Sequence, residues 1–222
     1  FLLMRIPLWI EASRLKVLIF GGGSVGSRRA KFFHNAGASV RVLARDVSPE
    51  LQQLGVEVRR VDLRQYDPRE DIAWADVVVI AVDDADLAST LFHIAESMGK
   101  LVNDATDASR THIVVPYEKS IDGLRVAVTS EGAAGTPARL SLDVVERCIK
   151  ESWVPTFYKV YSELKKEAKK YVSETRKRLK FYQELCEDRE FMNYVMSKNS
   201  EAALARGREI LKRYVEKTRA DG

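Results

Sequence analysis

The chain has 222 residues and a mass of 25.1 kDa, enough for one generous domain or one domain with an appendage. Its 45% apolar and 31% charged content is that of a soluble globular protein and excludes disordered, fibrous and collagen-like classes. No apolar run approaches the roughly 20 residues that cross a bilayer, and Phe1-Leu2-Leu3 ahead of Met4 is too short for a signal peptide, so Met4 reads as the natural start. Net charge is +4, unevenly placed: residues 1–150 carry 19 Lys/Arg against 20 Asp/Glu, and residues 151–222 carry 17 against 12, or +5. A basic tail of this kind is a solvated helix surface, a contact for nucleic acid, or a landing surface for a polycarboxylate. Cys148 and Cys186 form no CxxC pair and no metal-like cluster, which points to a reducing cytoplasm and to no bound metal.

The first 112 residues alternate short β-rich runs with helix-length amphipathic segments. Leu15–Phe20 is an apolar strand running into Gly21-Gly22-Gly23, and Val25–Ala36 reads as a helix closed by Gly37. Ser39–Ala44 is a second strand, and Val56–Val61 a third with alternating polarity. Asp76–Val82 is the most apolar strand of the chain, as expected for one buried on both faces. Leu87–Met98 is the next helix, closed by Gly99, and Lys100–Asn103 is a fifth short strand. This rhythm predicts an α/β fold in which a parallel sheet is covered by helices, a Rossmann domain over residues 1–112.

The rhythm then changes. Ile113–Val115 and Leu124–Thr129 flank a polar turn containing Asp122-Gly123 and read as a hairpin or a pair of linked strands. A Gly/Ala-rich loop, Glu131–Pro137, leads into a helix over Ala138–Glu151, so residues 113–150 form a small α+β segment. Beyond Pro155 no strand signal remains. Leu164, Tyr171, Leu179, Tyr182, Leu185, Phe191, Tyr194, Val195, Ile210, Leu211 and Tyr214 recur at helical spacing among Lys, Arg and Glu, which predicts a helical C-terminal domain over residues 151–222.

Gly21-Gly22-Gly23-Ser24-Val25-Gly26 satisfies G-x-G-x-x-G, a weak pattern alone that is strengthened by a strand before it, a helix after it and a second strand completing βαβ. Gly21 makes the tight turn, Gly23 lets the backbone approach a pyrophosphate, and Gly26 lets helix and strand pack closely. The helix N-terminus offers unpaired N–H groups to the phosphates. The bland alternative is a structural turn without a ligand. At the end of the second strand Asp46 suits the ribose 2′-hydroxyl of NAD, while the adjacent Arg45 leaves NADP open. Val82 and Asp83, leaving the fourth strand at the same edge, complete the cofactor set. Because three acids at Asp83, Asp84 and Asp86 would repel a pyrophosphate, some of them must point outward or cap the next helix.

Several of these stretches together resemble the precorrin-2 dehydrogenase and siroheme synthase N-terminal family. They are Pro7-Leu8-Trp9-Ile10, the glycine turn, Val42–Glu50, Val79–Asp84, Leu101-Val102-Asn103, Ile113–Pro116, and Leu124–Ser130 with Thr136–Arg139, in the family's order over about residues 4–150. The resemblance implies NAD-dependent oxidation of precorrin-2 to sirohydrochlorin, in some members followed by insertion of Fe²⁺ or Co²⁺. It implies a homodimer interlocked through the 113–150 segment, and neither a membrane nor nucleic acid as partner. The family's catalytic aspartate, three residues after the asparagine that ends the fifth strand, falls here on Thr106. Asp104 and Asp107 flank it as candidate general bases, with Asp107 favoured because one residue of loop slippage would bring it into place; the alternative is that both cap the loop. His112 stands beside that loop as a candidate for proton or metal transfer or as a structural histidine, while His34 and His93 carry no assignment. Ser130 matches a serine near the family's cleft, and Gly132, Gly135 and Thr136 offer backbone amides to substrate carboxylates, in a loop two residues longer than usual. Precorrin-2 carries eight carboxylates, which a basic tail would steer; Lys166, Lys169 and Lys170 share one helical face.

Two other readings stay beside this one. A non-catalytic NAD(H)-sensing Rossmann module would need the glycine turn and Asp46 but not residues 104–137, with its basic tail on a partner. A Rossmann oxidoreductase of a small substrate would want a second catalytic domain, and residues 151–222 are short of acids, bases and metal ligands for one.

Overall fold

A computed structural model describes residues 5–220, so the Met4 start lies outside the described residues. The chain forms two compact units. One runs to Val115 and takes in Thr129–Ala134; the other comprises Pro116–Val128 and the chain from Gly135 onward.

The first unit is built on a five-stranded parallel sheet of order β3-β2-β1-β4-β5. Its strands are β1 (Lys16–Gly22), β2 (Ser39–Val47), β3 (Glu57–Arg60), β4 (Val77–Ile80) and β5 (Leu101–Asp104). Helices α1 (Ser24–Asn35), α2 (Pro49–Gln53), α3 (Arg69–Trp74) and α4 (Ala85–Ser97) connect them. Val17–Phe20 and Val77–Ile80 are buried without a break, because successive side chains leave a strand on opposite faces and both faces are covered. Leu18, Phe20, Val78 and Ile80 pack with Ala88, Leu91 and Phe92 of α4. Val17, Ile19, Val77 and Val79 pack with Ala30 and Phe33 of α1 on the other face. The order of strands reverses at β1, so β1 and β4 diverge in connection there and their carboxyl ends open a crevice.

The second unit begins with an antiparallel hairpin of β6 (Tyr117–Ile121) and β7 (Leu124–Val128). Asp122 (φ 47°) and Gly123 (φ 90°) make its two-residue turn, with the paired positive φ values that tight hairpins require. The first hairpin strand is therefore Tyr117–Ile121 and not Ile113–Val115. Ile113 and Val115 are apolar because they pack beneath the sheet with the α1-side cluster, and Asn103 Nδ2 holds the Ile113 carbonyl at 2.9 Å. Helix α5 (Gly135–Glu151) starts ahead of Ala138 because Pro137 is tolerated in a first turn. Helices α6 (Val154–Tyr171), α7 (Thr175–Glu187), α8 (Arg189–Met196) and α9 (Ser200–Ala220) follow. Val160, Leu164, Phe181, Leu185, Phe191, Val195, Ile210 and Leu211 form their common core. Leu179 and Tyr171 do not join it: they are 62% and 50% exposed, on turns of α7 and α6 that face away. No helix among the described residues is long and apolar enough to cross a membrane.

Candidate functional site

The crevice is floored by glycines because nothing larger fits. Gly21 has φ 106°, and a Cβ there would stand 2.2 Å from the Ala81 carbonyl oxygen of the chain leaving β4. A Cβ on Gly26 would stand 2.0 Å from the Gly21 carbonyl oxygen, and one on Gly22 2.3 Å from that of Asp46. These three residues are buried. Gly23 is the opposite case: exposed, with nothing within 4 Å of a Cβ, and the N-cap of α1 without any side-chain hydrogen bond. The first N–H groups of a helix lack intrahelical partners, so Ser24, exposed, and Val25, half-buried, present donors at the positive end of the helix dipole. Ser27 Oγ donates to the Gly23 carbonyl at 2.8 Å and lies 2.8 Å from Ser48 Oγ, which in turn caps α2 through Leu51 N. An open, side-chain-free cradle of backbone donors at a helix N-terminus fits a pyrophosphate.

The other cofactor candidates gather at the same edge. Arg45 and Asp46 stand near the end of β2, 77% and 84% exposed, joined by a 3.0 Å ion pair that raises the guanidinium's pKa. Val82 is half-buried and Asp83 exposed just beyond β4. The acidic triplet is divided as anticipated: Asp84 caps α4 by accepting from Leu87 N at 3.0 Å and Asp86 N at 3.1 Å, and it pairs with Arg64. Those backbone N–H groups, with Arg64, hold its carboxyl below the usual range. Asp83 and Asp86 point outward.

Past β5 the two candidate bases have distinct surroundings. The Asp104 side chain is fully buried. Its Oδ1 accepts from Thr106 Oγ1 (2.6 Å) and Thr106 N (2.9 Å), and its Oδ2 faces Arg110 at 2.9 Å. It organises the loop from within, as an Asx turn does. Asp107 is 41% exposed and accepts from Ser109 Oγ (2.6 Å) and Ser109 N (2.8 Å). Those two bonds, aided by Arg110, hold its carboxyl below the ordinary aspartate range. Thr106, where the family places its aspartate, donates to Asp104 and turns no acid into the crevice. His112 is placed elsewhere: its Nδ1 accepts from Val102 N at 3.3 Å, its Nε2 lies 3.5 Å from Glu96, and its ring packs on Phe92, near the start of β5 and the end of α4.

Ser130 Oγ accepts from Ala134 N at 2.9 Å and so closes the 129–134 loop on itself. Gly132 (φ 96°) lies against Ala108, where a Cβ would come within 2.5 Å. Thr136 belongs to the first turn of α5 in the second unit. The sequence reading missed the residue that ties the two loops of the first unit together. Arg5 donates to the carbonyls of Thr111 (2.7 Å) and Ala108 (3.2 Å) and pairs with Glu131 at 2.9 Å. Nothing local marks it, since its partners lie more than a hundred residues along the chain. Arg110 was also missed, although its spacing of three from Asp107 was a usable signal.

The family described as "Putative NAD(P)-binding" matches residues 8–117. The siroheme synthase of Mannheimia succiniciproducens is 33% identical over 140 residues, covering 63% of this chain and 29% of its own. That of Neisseria meningitidis is 31% identical over 146 residues, covering 66% of this chain and 30% of its own. This chain thus spans under a third of the length of these curated relatives. Among solved structures, a protein titled "SirC, precorrin-2 dehydrogenase" superposes with a TM-score of 0.69 at 22% identity, covering 96% of this chain and 100% of that one; at this identity the likeness speaks to fold.

Proposed function

We propose that this chain, similar to siroheme synthases over about two thirds of its length and matched by an NAD(P)-binding family over residues 8–117, oxidises precorrin-2 to sirohydrochlorin with NAD. The observation that carries the proposal is the Gly21–Gly26 turn, buried where strand and helix touch and bare at Gly23, set in a sequence that matches siroheme synthases over 140 residues and more. Bound NAD supplies the hydride acceptor. Gly23, Ser24 and Val25 hold its pyrophosphate through backbone N–H groups, and the exposed Asp46 carboxylate takes the ribose hydroxyls. Arg45, already paired to Asp46, has less to offer a 2′-phosphate, which favours NAD over NADP. Val82 and Asp83 border the crevice beyond β4.

Loss of a hydride from the substrate carbon must be matched by loss of a proton. Asp107 is the base this reading assigns: it is ionised, exposed and on the loop after β5, whereas both oxygens of Asp104 are committed inside that loop. Asp104 is then a positioning residue, and His112 a support of β5. Substrate contacts fall to Ser130, Gly132 and Thr136. Thr106, standing where the family places its aspartate, weighs against metal insertion as a further activity. The exposed apolar residues Leu140 (49%) and Val144 (62%) of α5 support a homodimer, and two exposed free thiols, Cys148 and Cys186, support the cytoplasm.

The test is purified protein with precorrin-2 and NAD, following sirohydrochlorin absorbance alongside NADH. Coupled appearance of both is the expected result. Tight dinucleotide binding with no turnover on NAD or NADP would instead establish the NAD(H)-sensing module. Asp107→Asn should lose most of the rate, about 100-fold or more for a general base; if Asp104→Asn and Asp107→Asn both keep full rate, neither is the base. Fe²⁺ or Co²⁺ in the same assay reads metal insertion, expected to be absent.

A further inference from the structure

We propose that a lysine-lined groove on α6 binds a compact polycarboxylate, namely the acidic side chains of the tetrapyrrole. The choice of ligand rests on the function proposed above; the groove itself does not. It has a volume of about 1010 Å³, at the upper end of small-molecule sites, and lies wholly within the second unit. The hairpin turn at Asp122 and the start of α9 at Ser200 contribute to its wall. The turn is fixed in place, since a Cβ on Gly123 would stand 2.2 Å from the Tyr158 ring of α6.

Lys159, Lys165, Lys166 and Lys169 line it. Spacings of three, four and seven put them along one side of α6, and at 1.5 Å per residue the first and last are roughly 15 Å apart. All four are exposed, and among the described residues none has a carboxylate within ion-pair distance. In the same unit Lys119 is paired with Asp143 and Glu146, Arg206 with Asp188 and Arg213 with Glu184, so carboxylates are within reach of cations there but not in the groove. The acids bordering the groove leave the lysine charge standing, because Glu163 is taken by Arg208 at 2.9 Å. Like charges at such spacings destabilise a helix, so this arrangement does not serve folding. An anion placed among them relieves the repulsion.

The charge pattern favours discrete carboxylates over a continuous phosphate chain. A polymer tracking the groove would meet Asp122 at the hairpin turn, whereas carboxylates on a ring can be seated on the lysines beside it. Lysine suits such seats as a compact point charge on a flexible stem, without the fork by which arginine grips phosphate.

The experiment uses the full chain and uroporphyrin, a stable porphyrin with eight carboxylates, followed by fluorescence at low and physiological salt. Lys166→Glu/Lys169→Glu should weaken uroporphyrin binding at least roughly tenfold and flatten its salt dependence. Lys180→Glu/Lys212→Glu, in the same tail but off the groove, should bind as the parent does, and NADH affinity should be unchanged in both. In turnover the groove variant should raise KM for precorrin-2 about tenfold with kcat within about twofold. Uroporphyrin binding unchanged in the groove variant overturns the proposal, as does displacement of uroporphyrin by a short RNA that binds more tightly. Absence of turnover in the parent chain sinks the dehydrogenase reading alone, since uroporphyrin binding is measured without it.

Discussion

Gly26 and Gly21 touch so closely that a single added carbon on the first would sit 2.0 Å from the carbonyl oxygen of the second. That contact joins the first turn of α1 to the end of β1, with no flexible atom on either side to yield. Gly23 lies between them in sequence and faces open space. One short turn therefore contains glycines needed for packing and a glycine needed for access.

The two requirements separate by mutation. Gly26→Ala must move backbone, and overpacking of this kind costs about 1–3 kcal/mol, so thermal stability and dinucleotide binding should fall together. Gly23→Ala has an extended backbone that accepts any residue (φ −76°, ψ −167°), so its melting temperature should match the parent. Its methyl group occupies the approach to the α1 N-terminus, and NADH should bind roughly tenfold more weakly or worse. Fluorescence titration with NADH checks it; parental affinity in Gly23→Ala would place the phosphates elsewhere.

Asp71 is a second point of leverage, far from any ligand argument. Its carboxylate is fully buried and accepts from Arg41 (2.8 Å), Arg59 (2.8 Å) and the Tyr66 hydroxyl (2.7 Å), while the Arg41 guanidinium lies 4.1 Å over the Trp74 ring. Removing one partner of a buried ion pair costs about 3–5 kcal/mol. Arg41 keeps Glu57 at 2.9 Å, so Asp71→Ala should fall at the lower end of that range. Tyr66→Phe, which removes one hydrogen bond, should cost about 1 kcal/mol. Urea unfolding midpoints at constant m measure both, and equal losses in the two variants would contradict the network.

The sheet was legible in the sequence because a strand buried on both faces must be apolar throughout, as Val77–Ile80 is. Helices α2 and α3 were not, since five and six residues complete too few turns to show a period. Ile113–Val115 misled for a physical reason: apolar character reports burial, not strand pairing. The ladder formed instead at Tyr117–Ile121, whose mostly exposed side chains give no such signal. At the site, the glycine turn was readable because its requirements are local. Asp104 and Asp107 were visible as loop carboxylates, but their different roles depend on Thr106, Arg110 and Arg5, and Arg5 acts across a separation of more than a hundred residues.

The assignment of Asp107 carries a pH signature. Hydrogen bonds from Ser109, with Arg110 nearby, lower its pKa from the usual aspartate value. The ionised base is present above that lowered pKa and is lost as pH falls through it, so kcat/KM should stay flat as pH falls to the usual aspartate range and drop only beneath it. Ser109→Ala removes the leading hydrogen bond and should move the acid limb to higher pH with little change at neutrality. An acid limb that stays put in this variant would point to another base.

At the alkaline end the helical unit should weaken through Tyr214. Its hydroxyl donates to Glu184 Oε2 at 2.6 Å, and its ring meets Phe181 edge-on at a centroid distance of 5.8 Å. Burial pushes its pKa up to about 12, and the Glu184 carboxylate adds to the rise. The unfolded chain releases this proton near pH 10, so between about 10 and 12 the folded state holds protons that the unfolded state has lost. Stability is then complete below pH 10 and declines as pH rises toward 12. Burial also raises Tyr161 and Tyr182, and the hydrogen bond to Glu190 raises Tyr194, which adds to the same slope. Tyr214→Phe should cost about 1 kcal/mol at pH 7 through the lost hydrogen bond, with Glu184 still paired to Arg213. Above pH 10 its unfolding midpoint should fall less steeply than the parent's. Parallel slopes in the two proteins would assign the alkaline loss to the other tyrosines.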